Sequence, residues 1–261
     1  MTELLRVPGK KGLLSAVRPI YFKMIHYAVM ANLPKPPTVF GKPTLLSDIT
    51  DMFGNNTTGD CYWAGSANET IGWNRLTGVN LSFTDVGVLS DYSAQTGYNS
   101  TDPSTDMGTD PEAGAAYRRT TGIIDASGIR HKIYAYTEIT ARNLDQVNMA
   151  AWMFDAAGIG VLYPDYADNQ FAAGAPWDFL PGQPAPREGH YFPIRCRLPN
   201  GNYLARSWGH DQEVTPAFLT NYMEIGLAYI SPEALNSKGV TANQFNMSQL
   251  QADLGQLNTV T

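Results

Sequence analysis

The 261-residue sequence predicts an α+β fold, with a helix-rich N-terminal half and a strand-rich C-terminal half. Two observations carry this. Apolar residues recur at helical spacing between residues 61 and 122, whereas from residue 131 onward the dominant period is two. Gly (24) and Pro (17) are frequent, so elements should be short and turns many.

Residues 33–45 (NLPKPPTVFGKPT) hold four prolines, which favours an extended chain with few backbone hydrogen bonds of its own. A short helix is expected around residues 21–31, and residues 1–45 read as an arm and linker running over a surface. Residues 51–60 (DMFGNNTTGD) form a turn-rich loop. Residues 61–75 then spell a helix with Trp63, Ala64, Ala67 and Ile71 on one apolar side and Asp60 as its N-cap. Further helices are expected over residues 85–96 and 111–122, the latter with Pro at its start and Gly at its end. The polar loop 97–111 carries Asp102, Asp106 and Asp110 without a calcium-loop spacing and reads as solvated.

Residues 131–139 alternate as a strand does. Residues 143–157 have helical spacing, with Gly158 as a plausible C-cap. Strands follow at 159–163, 190–197, 202–208 and 227–230, a long loop at 165–187, and a helix at 216–224 opened by Pro216. The organisation expected is an arm (1–45), one α+β domain (46–235) and a polar C-terminal extension (236–261).

The net charge of −6 hides an asymmetry. Residues 1–42 carry seven Lys/Arg against Glu3 alone, a net of +6, and the rest carries 11 bases and 23 acids, a net of −12. A basic arm ahead of an acidic body suits an interaction tail, docked on its own domain or on a neighbouring copy. Nucleic acid is an unlikely partner, since only the arm could neutralise phosphates. No run approaches the ~20 apolar residues of a membrane span. Arg18, Pro19, Lys23 and His26 interrupt the apolar stretch 13–32, so no signal peptide is expected. Two cysteines, Cys61 and Cys196, make no disulfide framework, and no metal spacing or cofactor motif is present. Cys196 reads as a core residue, and no Cys61–Cys196 disulfide is expected.

A nucleophilic cysteine needs a lowered pKa, a base within reach and donors facing the developing oxyanion. Gly59-Asp60-Cys61-Tyr62-Trp63-Ala64 places a cysteine where a loop enters a helix, with its own N–H unpaired. The amide of Asn55 or of Asn56 could be a second donor.

The stretch N-N-T-T-G-D-C-Y-W-A resembles the cysteine motif of papain-like peptidases, with Asn55 in place of the family's oxyanion Gln. Glu188-Gly189-His190, followed by an alternating strand, resembles the family's histidine strand, 129 residues after Cys61. Arg206-Ser207-Trp208-Gly209 resembles its Asn-Ser-Trp-Gly. The likeness covers roughly residues 45–235. It implies a papain-like fold, a Cys61 nucleophile, a His190 base and an Asn55 oxyanion donor. Arg206 stands where the orienting Asn would be and has no acceptor, so the role passes to Ser207, Asn202 or a backbone carbonyl, or is absent. Trp208 is expected as a wall beside the histidine, while His26, His131 and His210 read as structural or surface residues.

Gly-Asn-x-x-x-Gly-Asp-Cys with a late Ser-Trp-Gly also resembles a group of phage and prophage proteins. Two functions follow from these likenesses. One is a cysteine hydrolase acting on a peptide or a peptidoglycan-like crosslink. The other is a non-catalytic capsid or tail subunit that reaches its neighbours through residues 1–45, made in the host cytoplasm. No segment reads as a propeptide.

Overall fold

The computed structural model describes residues 5–15, 35–235 and 240–241. The helix expected around residues 21–31, His26, and the C-terminal extension apart from Val240 and Thr241 lie outside the described residues. Three helices lead: α1 (Cys61–Leu76), α2 (Asp85–Thr96) and α3 (Pro111–Thr120). Thr84 and Asp110 cap α2 and α3 through their side chains, and Gly97 ends α2 in the left-handed conformation. A small hairpin, β1 (Ile123–Ile124) with β2 (Arg130–His131), leads into the strand-rich half. That half is one antiparallel sheet in the order β3-β8-β4-β5-β6-β7. Its strands are β3 (Ala135–Ile139), β4 (Ala157–Tyr163), β5 (Glu188–Arg197), β6 (Tyr203–Ser207), β7 (His210–Val214) and β8 (Met223–Ile230). Helices α4 (Leu144–Met153), α5 (Ala167–Ala172) and α6 (Pro216–Tyr222) join them.

The two faces of β5 divide the core. Phe192 and Ile194 join one cluster with Trp177, Phe218 and Tyr163, and Tyr191 joins another with Tyr62, Trp63 and Trp73 of α1. Helix α1 was expected to be amphipathic, yet every residue from Cys61 to Asn74 is buried. Its polar side chains are absorbed locally: Ser66, Asn68, Thr70 and Asn74 each donate to the carbonyl four residues back. Glu69 takes Arg118 at 2.6 Å and the Tyr191 hydroxyl at 2.7 Å. Asp60 makes no capping hydrogen bond. Burial holds its carboxyl well above the usual range.

Other departures have local causes. The 131–139 run is split, because after Ile133 the chain leaves the small hairpin and Tyr134 pairs with Ile230 of the large sheet. Helix α4 stops at Met153, where Asp155 turns the chain at φ 59°. Gly158 is not a cap but a residue of β4, where a Cβ would lie 1.9 Å from the Tyr191 hydroxyl. The 165–187 loop contains α5. Strand β7 was not among the expected strands; its sequence, HDQEV, is polar, yet it pairs with β6 across a two-residue turn. Both turn residues, Trp208 and Gly209, have positive φ (47° and 70°), as a tight hairpin requires.

Candidate active site

The loop 52–60 delivers Cys61 to the first turn of α1, where its N–H has no helical acceptor. Strand β5 delivers His190, and the β6–β7 hairpin delivers Ser207 and Trp208. Asn55, Cys61, Tyr191, Ser207 and Trp208 line one small cavity. The His190 ring is boxed by aromatics: Trp208 stacks on it at 4.4 Å and Tyr163 meets it edge-on at 5.5 Å.

Strand alternation separates the side chains near the histidine. Arg206 and Ser207 point to opposite faces of β6. Arg206 donates to Asp211 (3.1 Å) and to the Gly209 carbonyl (3.0 Å), while Ser207 Oγ lies 2.8 Å from His190 Nε2. Asn202 sits at the other end of β6 with its amide on Glu213, so it is not brought to the histidine. The other ring nitrogen, Nδ1, has no hydrogen-bond partner among the described residues. Asn55 Nδ2 points into the cleft. Cys196 is a free, buried cysteine, as is Cys61.

Residues 5–14 do not run over an outer surface; they thread the cleft between the two halves. Arg6 donates to Gln212 Oε1 (2.9 Å) and the Asp211 carbonyl (2.8 Å) on β7. Gly9 passes against the Trp208 indole, where a Cβ would sit 2.5 Å from the ring. The Lys10 carbonyl accepts from Asn55 Nδ2 at 2.9 Å. Gly12 and Leu13 both donate to the Gly189 carbonyl (3.0 and 2.9 Å), the residue before His190. On the opposite wall Thr109 donates to the Gly12 carbonyl (2.7 Å) and Leu14 donates to Thr109 (2.9 Å). Leu13 packs over Gly160 beside Ile225. Two ion pairs clamp the segment: Lys10 to Asp106 (2.8 Å) and Lys11 to Asp168 (2.8 Å). Asp106 is therefore not a solvated loop residue. It also accepts from the Tyr92 hydroxyl and the Gly59 N–H.

Burial sets the electrostatics here. Burial pushes the Cys61 thiol up to about 12, and the backbone N–H groups of Tyr191, Gly12 and Tyr62 only partly oppose it. Burial, with the Lys11 ammonium nearby, holds His190 well below the usual histidine range. Cys61 thus carries a neutral thiol and His190 a neutral imidazole. The sulfur meets the Gly12 N–H, whereas the carbonyl on Asn55 belongs to Lys10, two residues away. An N–H at the sulfur offers nothing to attack.

The arm's role in the cleft, the Gly189 and Thr109 backbones and the acids Asp106 and Asp168 were all missed from sequence. The signal that pointed toward them was the basic K-K-G-L run ahead of an acidic body. Among the described residues no group of three His, Cys, Asp or Glu could hold a metal ion, and no helix is long and apolar enough to cross a membrane.

No protein-family model and no curated protein matches the chain. Solved structures do. Xylellain, a cysteine protease from Xylella fastidiosa, superposes with a TM-score of 0.61 at 11% identity, over 88% of this chain and 99% of that one. Procathepsin L 3 of Tenebrio molitor larval midgut gives 0.58 at 11% identity, over 87% and 76%. The Carica candamarcensis cysteine protease CMS1MS2 gives 0.54 at 14% identity, over 75% and 99%. The fold is that of the papain-like cysteine proteases.

Proposed function

We propose that the chain is a cysteine hydrolase acting on amide bonds of peptides, held dormant by its own residues 5–14. The observation that carries this is a peptide main chain already bonded to both walls of the cleft across Cys61, with a carbonyl on Asn55. When that segment leaves, Cys61 regains solvent and His190 loses the Lys11 charge, so the thiol pKa falls and the imidazole pKa rises. Proton transfer from sulfur to Nδ1 then gives the reactive ion pair. The thiolate attacks the substrate carbonyl carbon, and the oxyanion is held by Asn55 Nδ2 and the Cys61 N–H. His190 gives its proton to the leaving amine, and water releases the acid from the thioester. Ser207 positions the imidazole by accepting from Nε2–H.

Cys61→Ala in a full chain whose arm is weakened should retain the fold and lose peptide cleavage. Equal cleavage by Cys61→Ala and its parent would overturn the reading.

The alternative is a non-catalytic subunit of a phage particle. It is favoured by the filled cleft and the neutral thiol, and its viral setting draws on the Gly-Asn-x-x-x-Gly-Asp-Cys likeness. In that setting the chain is made in the host cytoplasm and residues 1–45 contact neighbouring subunits. Crosslinks from residues 1–45 to a second copy in assembled particles, with no turnover after arm release, would select it.

A further inference from the structure

The cleft holds a second recognition feature beside its reacting atoms. Lys11 Nζ lies 2.9 and 2.8 Å from the two carboxylate oxygens of Asp168. It also sits 5.0 Å from the centre of the Tyr163 ring and 5.4 Å from that of Trp208. The lysine side chain is only 12% exposed, and Asp168 35%. A carboxylate with two aromatic faces around one ammonium is a built cation site, since ring quadrupoles and the carboxylate attract the same charge and burial reduces screening. Two of its members, Tyr163 and Trp208, also pack on His190, so a ligand laid across Cys61 must pass this site.

The arm does not satisfy the cleft completely. Trp208 Nε1, which Gly9 passes, is buried without a hydrogen-bond partner among the described residues. A buried donor left unpaired costs about 1–3 kcal/mol. At the centre the cleft is narrow, because a Cβ on Gly12 would lie 1.8 Å from the Gly59 carbonyl oxygen.

From this geometry we infer that Asp168, framed by Tyr163 and Trp208, is a specificity-determining residue that selects peptides carrying a lysine or arginine next to a glycine. The inference rests on the hydrolase reading for its meaning, but recognition and turnover separate experimentally. Lys10 serves as the internal control: it is also paired, to Asp106, yet its side chain is 53% exposed and has no cation–π partner among the described residues.

The test uses the full chain carrying Gly12→Ala, which weakens its own arm, and Cys61→Ala, which prevents turnover. Binding of a ten-residue peptide of the sequence 5–14 is followed by fluorescence anisotropy, against peptides with norleucine in place of Lys11 or of Lys10. The Lys11 replacement should weaken binding tenfold or more, and the Lys10 replacement threefold or less. Asp168→Asn in the protein should erase the lysine–norleucine difference at position 11. Equal binding of the parent and Lys11-replaced peptides, no peptide binding at all, or discrimination that survives in Asp168→Asn would overturn the inference. The peptide-side comparison stands even if Asp168→Asn folds poorly. Cleavage of the same peptides by the Gly12→Ala protein with Cys61 intact is a separate readout. Its absence would count against the hydrolase and leave the recognition result in place.

Discussion

Substituting Gly12 with alanine is the sharpest perturbation of the occluded state. The new Cβ would fall 1.8 Å from the Gly59 carbonyl oxygen and 2.4 Å from its carbon. Both are main-chain atoms, fixed by the loop that leads into α1, so neither can swing aside. The segment must lift, and three hydrogen bonds go with it: Gly12 and Leu13 to Gly189, and Thr109 to Gly12. At about 1 kcal/mol net each, the loss is about 3 kcal/mol, or about 150-fold in the released population. Alkylation proceeds through the released molecules, where the thiol is free of the burial that pushes it up to about 12, so the gain of the variant over the parent is the gain in released population. Iodoacetamide alkylation at pH 7.5, with peptide mapping to separate Cys61 from Cys196, reads it. Gly12→Ala should alkylate at Cys61 at least tenfold faster than the parent chain. Equal rates in the two proteins would refute the claim that residues 5–14 bury the thiol.

Three further outcomes follow from the packing. In an arm-weakened background, Ser207→Ala leaves the buried Nε2–H without an acceptor, at about 1–3 kcal/mol, and should lower kcat roughly 5- to 150-fold while Ser207→Thr retains most of it; an unchanged kcat for Ser207→Ala would remove Ser207 from the site. Glu69→Ala strands the buried Arg118 and should cost about 3–5 kcal/mol by denaturant titration, whereas a loss below about 1 kcal/mol would mean that the pair is solvated. His131 bonds Glu233 and Asp125; burial pushes its pKa down, but the two carboxylates outweigh it and hold it above 6.5. Its contribution is complete below pH 6.5 and fades as pH rises through the raised folded value, so denaturant stability should fall over that window, and Glu233→Gln should flatten the slope.

The fold class was legible because period and order are local properties. The switch from helical spacing to alternation falls where the sheet begins, and Pro111 and Pro216 open helices as expected. Strand β7 was not legible, since its half-buried polar residues lack an apolar alternation and its pairing is set by the left-handed Trp208-Gly209 turn. The burial of α1 on all sides was hidden for a related reason: back-bonded Ser, Asn and Thr look polar in sequence but make no demand on solvent.

Within the site, Cys61, Asn55 and His190 stood out because a loop-to-helix cysteine and its flanking motifs are contiguous in sequence. The histidine's partner was narrowed only to a set. Choosing Ser207 over Asn202 requires knowing which end of β6 lies beside His190, and the pairing with β5 shifts register between Ile194 and Cys196. The path of residues 5–14 was hidden altogether. The charge asymmetry announced an arm that seeks acid, but only the fold brings Asp106, Asp168 and the Gly189 carbonyl into one channel.

The central claim is that Cys61 and His190 form a working pair once residues 5–14 leave. Its most direct test is the pH dependence of Cys61 alkylation in Gly12→Ala, with and without His190→Ala. A working pair predicts reactive thiolate well below the ordinary thiol value of 9.0, and loss of that limb when the imidazole is removed. A single titration near 9.0, identical in both proteins, would contradict it.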